Sequence, residues 1–266
     1  MKRSFFLLFF IALVVNSLSA QEMQISFGPE AAYGYYKVDN DSAFRSGIYG
    51  TNAYFLNENT TSLFFAPGIS IYLRLFNDEM PYSRGFFFRD RAIFATSIKQ
   101  HGTASINDAT VKISENYSIK NDDFFLSMMD FDMGMSDRFI ISKKLRFYTD
   151  LGINLTIMDY ESDFGSDQGD TLSYLGTGIF ANLALQVNLT DMLYLEFGLN
   201  SIINVFSSQK GTYYIDEING TPIYKTVNYK SSGRWDYMST AVYINIGWRI
   251  DYNKIRWTMT PPNTDQ

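Results

Sequence analysis

Apolar and polar residues alternate with period two along most of the chain, the pattern of strands that present one apolar face. The last such stretch, Trp235 to Tyr252, is the clearest. Met238, Thr240, Val242, Ile244, Ile246, Trp248, Ile250 and Tyr252 fall on one face; Tyr237, Ser239, Ala241, Tyr243, Asn245, Gly247, Arg249 and Asp251 fall on the other. Arg146 to Met158 repeats the pattern, with Phe147, Leu151, Ile153, Leu155 and Ile157 opposed to Arg146, Tyr148, Asp150, Gly152, Asn154 and Thr156. The same test predicts eight strands, at 22–37, 62–76, 84–99, 123–136, 144–159, 174–189, 192–206 and 235–252. The third fits least well. Phe86, Phe88, Ala92, Phe94 and Thr96 share a face with Asp90, so a bulge near Arg89 or a later membrane entry is expected there.

The links between these strands alternate in length. Polar, Asn/Ser/Thr/Gly-rich stretches at 38–61, 100–122, 160–173 and 207–234 read as long loops, while 77–83, 137–143 and Thr190-Asp191 are short. An even strand number with this alternation is the layout of an outer-membrane barrel, with short periplasmic turns and long external loops. Every predicted strand exceeds the roughly 9–11 residues that a tilted strand needs to cross the hydrocarbon. A soluble β-barrel or sandwich also has one apolar face, so the other face must decide. Here it carries Gly, Ala, Ser, Asn and Tyr with isolated Arg, Asp and Glu, and lysine only at a strand end, Lys144. That set suits a narrow interior, leaving the apolar face to lipid and Tyr33, Tyr35, Phe147, Trp248 and Tyr252 to the interfaces. Closure follows, since an open sheet edge in lipid would leave backbone groups unpaired. The fold expected is therefore all-β, an eight-stranded antiparallel up-and-down transmembrane β-barrel, with a soluble β-barrel as the alternative.

Composition narrows the function classes. The 266 residues contain no cysteine, which excludes disulfide frameworks, thiolate metal sites, catalytic thiols and a cysteine-linked lipid anchor. A net charge of −6 argues against nucleic acid as a partner. Aromatic residues make up 17% of the chain, yet the mean hydropathy is −0.13, so apolar residues are diluted rather than clumped. A helical span would need about 20 consecutive apolar residues. The only run that comes close is N-terminal, where Lys2 and Arg3 precede the apolar stretch Phe5 to Val15 and the small-residue pattern Ser17-Leu18-Ser19-Ala20. Residues 1–20 read as a signal peptide. Its removal takes away two bases, Lys2 and Arg3, and moves the net charge from −6 to −8. The expected organisation is a signal peptide at 1–20, a barrel at 21–252 and a short periplasmic tail at 253–266.

The segment Asn245-Ile246-Gly247-Trp248-Arg249-Ile250-Asp251-Tyr252 resembles the C-terminal assembly signal of bacterial outer-membrane β-barrels. That signal has a polar residue, a glycine two positions on, then hydrophobic and aromatic residues at alternate positions; Asn245, Gly247, Ile250 and Tyr252 match. Many such proteins end at the terminal aromatic, whereas residues 253–266 follow here. The layout over 22–252 is similar to the eight-stranded families typified by the OmpA transmembrane domain, OmpX and OmpW. The resemblance implies the bacterial outer membrane, with outer-membrane lipid and the barrel-assembly machinery as partners. It names no extracellular ligand.

Projected inward, the strands carry Glu30, Arg74, Asp130, Asp132, Arg146, Asp150, Glu196 and Arg249, with Arg89 and Arg91 added if the third strand permits. Eight strands enclose an interior just wide enough for side chains. Near balance of charge in such a space predicts a paired network, with a charge gate for small solutes as the alternative. Asp130 and Asp132 lie at i and i+2 without an evident third ligand, so ion pairing is expected there rather than a metal. His101 is the single histidine, near Ser105 and Glu115, but sequence proximity supplies no catalytic geometry. No catalytic residue, cofactor or metal is expected. The external segments hold Tyr213, Tyr214, Tyr224, Tyr229 and Trp235, a composition able to bind partners. The function expected is a non-enzymatic one, in envelope structure or surface contacts through long external loops. A narrow passage for small or hydrophobic solutes and a lipid-modifying enzyme are the alternatives.

Overall fold

The computed structural model describes residues 22–46, 52–77, 80–106, 109–118, 124–162, 170–218, 221–229 and 236–251. Residues 1–20, read above as a signal peptide, residues 253–266, Trp235 and Tyr252 lie outside the described residues. The strands are β1 (Glu22–Ser46), β2 (Asn52–Phe76), β3 (Tyr82–Phe94), β4 (Ser97–Ile106), β5 (Ala109–Ser118), β6 (Phe124–Ile140), β7 (Leu145–Ser162), β8 (Asp170–Asn188), β9 (Leu193–Ile218), β10 (Thr221–Tyr229) and β11 (Tyr237–Asp251). Eight of them close a ring in the order β1, β2, β3, β6, β7, β8, β9, β11, every neighbour antiparallel and β11 back on β1. Closure leaves no edge among these staves, as lipid requires.

The register fixes how the staves lean. From Phe76 on β2 the cross-strand partners run through Gly85, Ser136, Asp150, Asn182, Asn200, Ala241 and Ala32 and return to β2 at Ala66, ten residues from the start. A row perpendicular to the strands therefore climbs toward the external end as it goes round. The staves are tilted, as in barrels of this size, by roughly 35–45°.

The third strand corrects the sequence expectation. No bulge forms near Arg89: β3 pairs without a shift from Gly68↔Ile93 to Phe76↔Gly85 on one side and along its whole length with β6 on the other. The irregularity comes later, where Phe94, Ala95 and Thr96 face Ala66 and Pro67 before pairing resumes at Phe65↔Ser97. Pro67 has no N–H to give to the ladder, so pairing is interrupted there. Asp90 consequently stays on the outer face.

The external segments correct a second expectation. Most of the residues read as long loops continue the ladder. β1 and β2 pair as far as Ser46↔Asn52, β4 and β5 form a hairpin on β2, and β10 pairs back on β9. Beyond the membrane no face has to meet lipid, so the apolar alternation of the sequence vanishes while the backbone pairing persists.

Inside and outside are sorted as the alternation implies. Ile153, Ile179, Leu183, Val242 and Ile244 are exposed on the outer wall, whereas Asn154, Asn182, Asn245, Ser239 and Gln186 are buried within.

Candidate functional site

The barrel interior is the only place where the described residues gather charge from many strands, and it is built around three arginines. Arg74 projects inward from β2. Its guanidinium donates to Asp150 of β7 at 2.7 Å and to Glu196 of β9 at 2.6 Å. Arg89 and Arg91, at i and i+2 on β3, both reach Glu30 of β1, at 2.6 and 3.0 Å. Arg89 also donates to Asp132 at 2.6 Å, and Arg91 to Asp130 at 2.7 Å through Nε. Asn154 donates to Asp132 and Thr156 to Asp130, at 2.7 and 2.6 Å. Asn182 donates to Asp150 and the Tyr243 hydroxyl to Glu196, at 2.7 and 2.8 Å. These side chains are buried, so each ion depends on protein partners rather than water.

Aromatic rings fill the space between the ion pairs. Tyr72 stacks on Tyr243 with ring centroids 5.2 Å apart. The Arg74 guanidinium lies 4.9 Å from the Tyr72 centroid and 4.7 Å from that of Tyr148; Arg89 lies 5.2 Å from Phe180. A cation between ring faces is held in a low-dielectric site by the ring quadrupoles. Two cross-strand glycines make the room. A Cβ on Gly198 would stand 2.2 Å from the Tyr243 ring, and one on Gly247 would stand 2.3 Å from the ring of Tyr194. Gly247, in the segment that resembles an assembly signal, thus seats an interior tyrosine.

The remaining predicted residues lie nearer the periplasmic end. Arg146 pairs with Glu22 at 2.9 Å, as does Arg138. Arg249 is not held by an interior carboxylate; its Nε donates to the Asp191 carbonyl of the β8–β9 turn at 3.1 Å. It sits at the rim because β11 is about to leave the barrel. Asn245 is buried beside Ser26, and Ile250 ends the outer face of β11 opposite Met23. Sequence reasoning missed Glu22, because it starts the first strand, and Arg138, because β6 runs to Ile140, four residues beyond its predicted end. At the external end Asp236 accepts from Tyr174 at 2.9 Å and from Ser207. His101 pairs across the β4–β5 hairpin with Ser114, while Ser105 and Glu115 pair with Thr110 and Gln100. The cross-strand register therefore puts neither of the two residues named from sequence opposite it.

No protein-family model matches the chain, and no curated protein does. Solved structures are similar in outline. Ail, the attachment invasion locus protein of Yersinia pestis, is 11% identical over 87% of this chain and 99% of its own, with a TM-score of 0.43. The outer membrane protein OprG from Pseudomonas aeruginosa is 10% identical over 87% and 97%, with a TM-score of 0.42. The outer membrane protease OmpT from Escherichia coli is 9% identical over 86% and 95%, with a TM-score of 0.41. An attachment protein and a protease stand side by side here, and no activity carries over from either. What decides the class is in the chain itself: a closed antiparallel ring with its charges inside and its apolar residues outside. The chain is an eight-stranded barrel of the outer-membrane type. In this barrel, two clefts of about 680 and 1010 Å³ lie on the outer wall, where Ala181, Thr177 and Gly178 leave the surface low.

Proposed function

We propose that the chain is a closed, non-enzymatic barrel of the bacterial outer membrane that works through its external hairpins, in envelope structure or surface contacts. The observation that carries this reading is the filled interior. Arg74 of β2 bridges carboxylates on β7 and β9, three staves away on either side. Arg89 and Arg91 of β3 link Glu30 of β1, two staves away, to Asp132 and Asp130 of the adjacent β6, so ion pairs fill the cross-section of the barrel. A hydrated solute would have to break several buried ion pairs, each costing about 3–5 kcal/mol when one partner is lost. The hairpins support the second half of the reading. From Val38 to Ser46 the β1–β2 ladder adds nine residues, about 30 Å of strand, which can carry a contact surface clear of the membrane. The test is liposome swelling with small sugars. The expected result is swelling no faster than in protein-free vesicles; rates like those of a general porin would overturn the closed reading. Substituting His101 in a lipid-modification assay addresses the enzymatic alternative, for which a His101-dependent product would be the contrary result.

A further inference from the structure

Asp90 faces away from the network that holds its neighbours Arg89 and Arg91. It is exposed on the outer wall, between Ile71 of β2 and Phe131 of β6. Its depth follows from the strand. Arg84, six residues earlier, is exposed and bound to Asp137 beside the ring pair Tyr82–Phe139, at the periplasmic interface. A residue of a tilted strand climbs about 2.5 Å, which puts Asp90 about 15 Å higher, near the middle of an apolar band about 25 Å tall. Among the described residues, the other charged side chains of the outer wall stand at the two ends, as Arg84 and Asp137 do below and Lys37, Lys99, Asp159 and Lys210 above. Among those residues the Asp90 carboxyl has neither a salt bridge nor a hydrogen bond.

A carboxyl at the bilayer midplane is costly and marks a contact inside the membrane. The opposite side of the barrel carries its complement. Ser201 of β9 and Thr240 of β11 are hydrogen-bonded side by side on the outer wall, with their hydroxyl oxygens 3.1 Å apart. β9 is four staves from β3 in the ring of eight, so the two groups are diametrically opposed. They are also level. The row through Asp90 runs the other way by Ile71, Phe27 and Ile246 to Leu195, and half a turn of the barrel drops five of the ten residues, so the level of Asp90 on β9 falls at Asn200, one residue from Ser201.

We propose that copies of this barrel associate side by side in the membrane, with Asp90 of one copy set against the Ser201–Thr240 hydroxyls of the next. Ionised or protonated, a carboxyl exchanges hydrogen bonds with hydroxyl groups, so the contact does not depend on its charge state. A contact between opposite sides of one molecule is heterologous and does not close on itself, so it builds rows rather than a symmetric dimer.

The chain has no cysteine, so an introduced thiol is its only one. Full-length Ala92→Cys and Leu199→Cys chains, placed beside Asp90 and Ser201, are mixed in liposomes of a neutral phospholipid and oxidised. The expected product is the mixed Ala92→Cys/Leu199→Cys dimer, formed faster than with Ala31→Cys, which lies a quarter-turn away. Adding Asp90→Leu should bring cross-linking down to the Ala31→Cys level while heat-modifiable gel mobility stays that of a folded barrel, and Asp90→Asn should preserve it. The proposal is overturned if Ala92→Cys links to itself as fast as to Leu199→Cys. It is equally overturned if the mixed product is no faster than the Ala31→Cys control, or survives Asp90→Leu.

Discussion

Arg89, Asp90 and Arg91 are consecutive and lie at one depth, yet they meet opposite surroundings. The two arginines enter a space where Glu30, Asp130 and Asp132 supply two or more bonds each. The aspartate enters a wall of Ile71, Phe131 and Ala92, where the described residues supply none. The inside of the barrel carries charge because the protein provides the partners that water would provide. The outside has only lipid, so a charge there needs a partner from another molecule. The same backbone alternation generates both faces, and partner supply is what separates them.

The comparison breaks most readily on the inside. Arg89→Ala leaves Asp132 without its cation and Glu30 with Arg91 alone, and should cost about 3–5 kcal/mol, read as a lowered urea midpoint for reversible unfolding in lipid. A loss no larger than that of an average surface substitution would mean that the pairs are not enclosed. On the outside, Ile153→Arg and Ile244→Arg should each cost about 2–4 kcal/mol, as expected for a cation placed near the bilayer centre. Their sequence neighbours sharpen the contrast. Asn154→Arg places a cation beside Asp130 and Asp132, and Asn245→Arg places one beside Ser26, so both should respond to crowding and pairing instead. Equal tolerance within each pair would refute the assigned faces.

A smaller effect of opposite sign is expected at Asp90. In liposomes at one barrel per vesicle, Asp90→Leu should stabilise the barrel, by less than the roughly 2–4 kcal/mol that a lipid-facing cation costs. A destabilised single barrel would show that Asp90 serves its own chain. Least of all should change at the periplasmic rim. Arg84 and Asp137 are paired at 2.7 Å but stand in water, so Arg84→Ala should leave the unfolding midpoint where it is.

How much of this was legible in the sequence follows from the same two faces. Between Tyr237 and Asp251 every second residue meets lipid, and the alternation assigns each face correctly. From Val38 to Ser46 both faces lie beyond the bilayer, no alternation is required, and a continuing strand read as a loop. Asp90 disturbed the pattern of β3 because it does sit among lipid-facing residues. The bulge invoked to move it was unnecessary, and the break that exists is set by Pro67 on the neighbouring strand. The inward charges could be named from parity, but not their partners. Whether Glu30 meets Arg74 or Arg89 depends on distances across the axis, which no single strand encodes.

Planar-bilayer recording of the full-length barrel tests the central claim most directly, because a network that closes the interior must also block ions. No stable conductance steps are expected for the wild type at moderate voltage, since Arg74 spans the interior from β2 to β7 and β9 and Arg89 and Arg91 fill it with their pairs to β1 and β6. Reproducible single-channel steps from the correctly folded wild type would contradict it, for they would require a continuous water path through the interior now assigned to buried ion pairs and tyrosines.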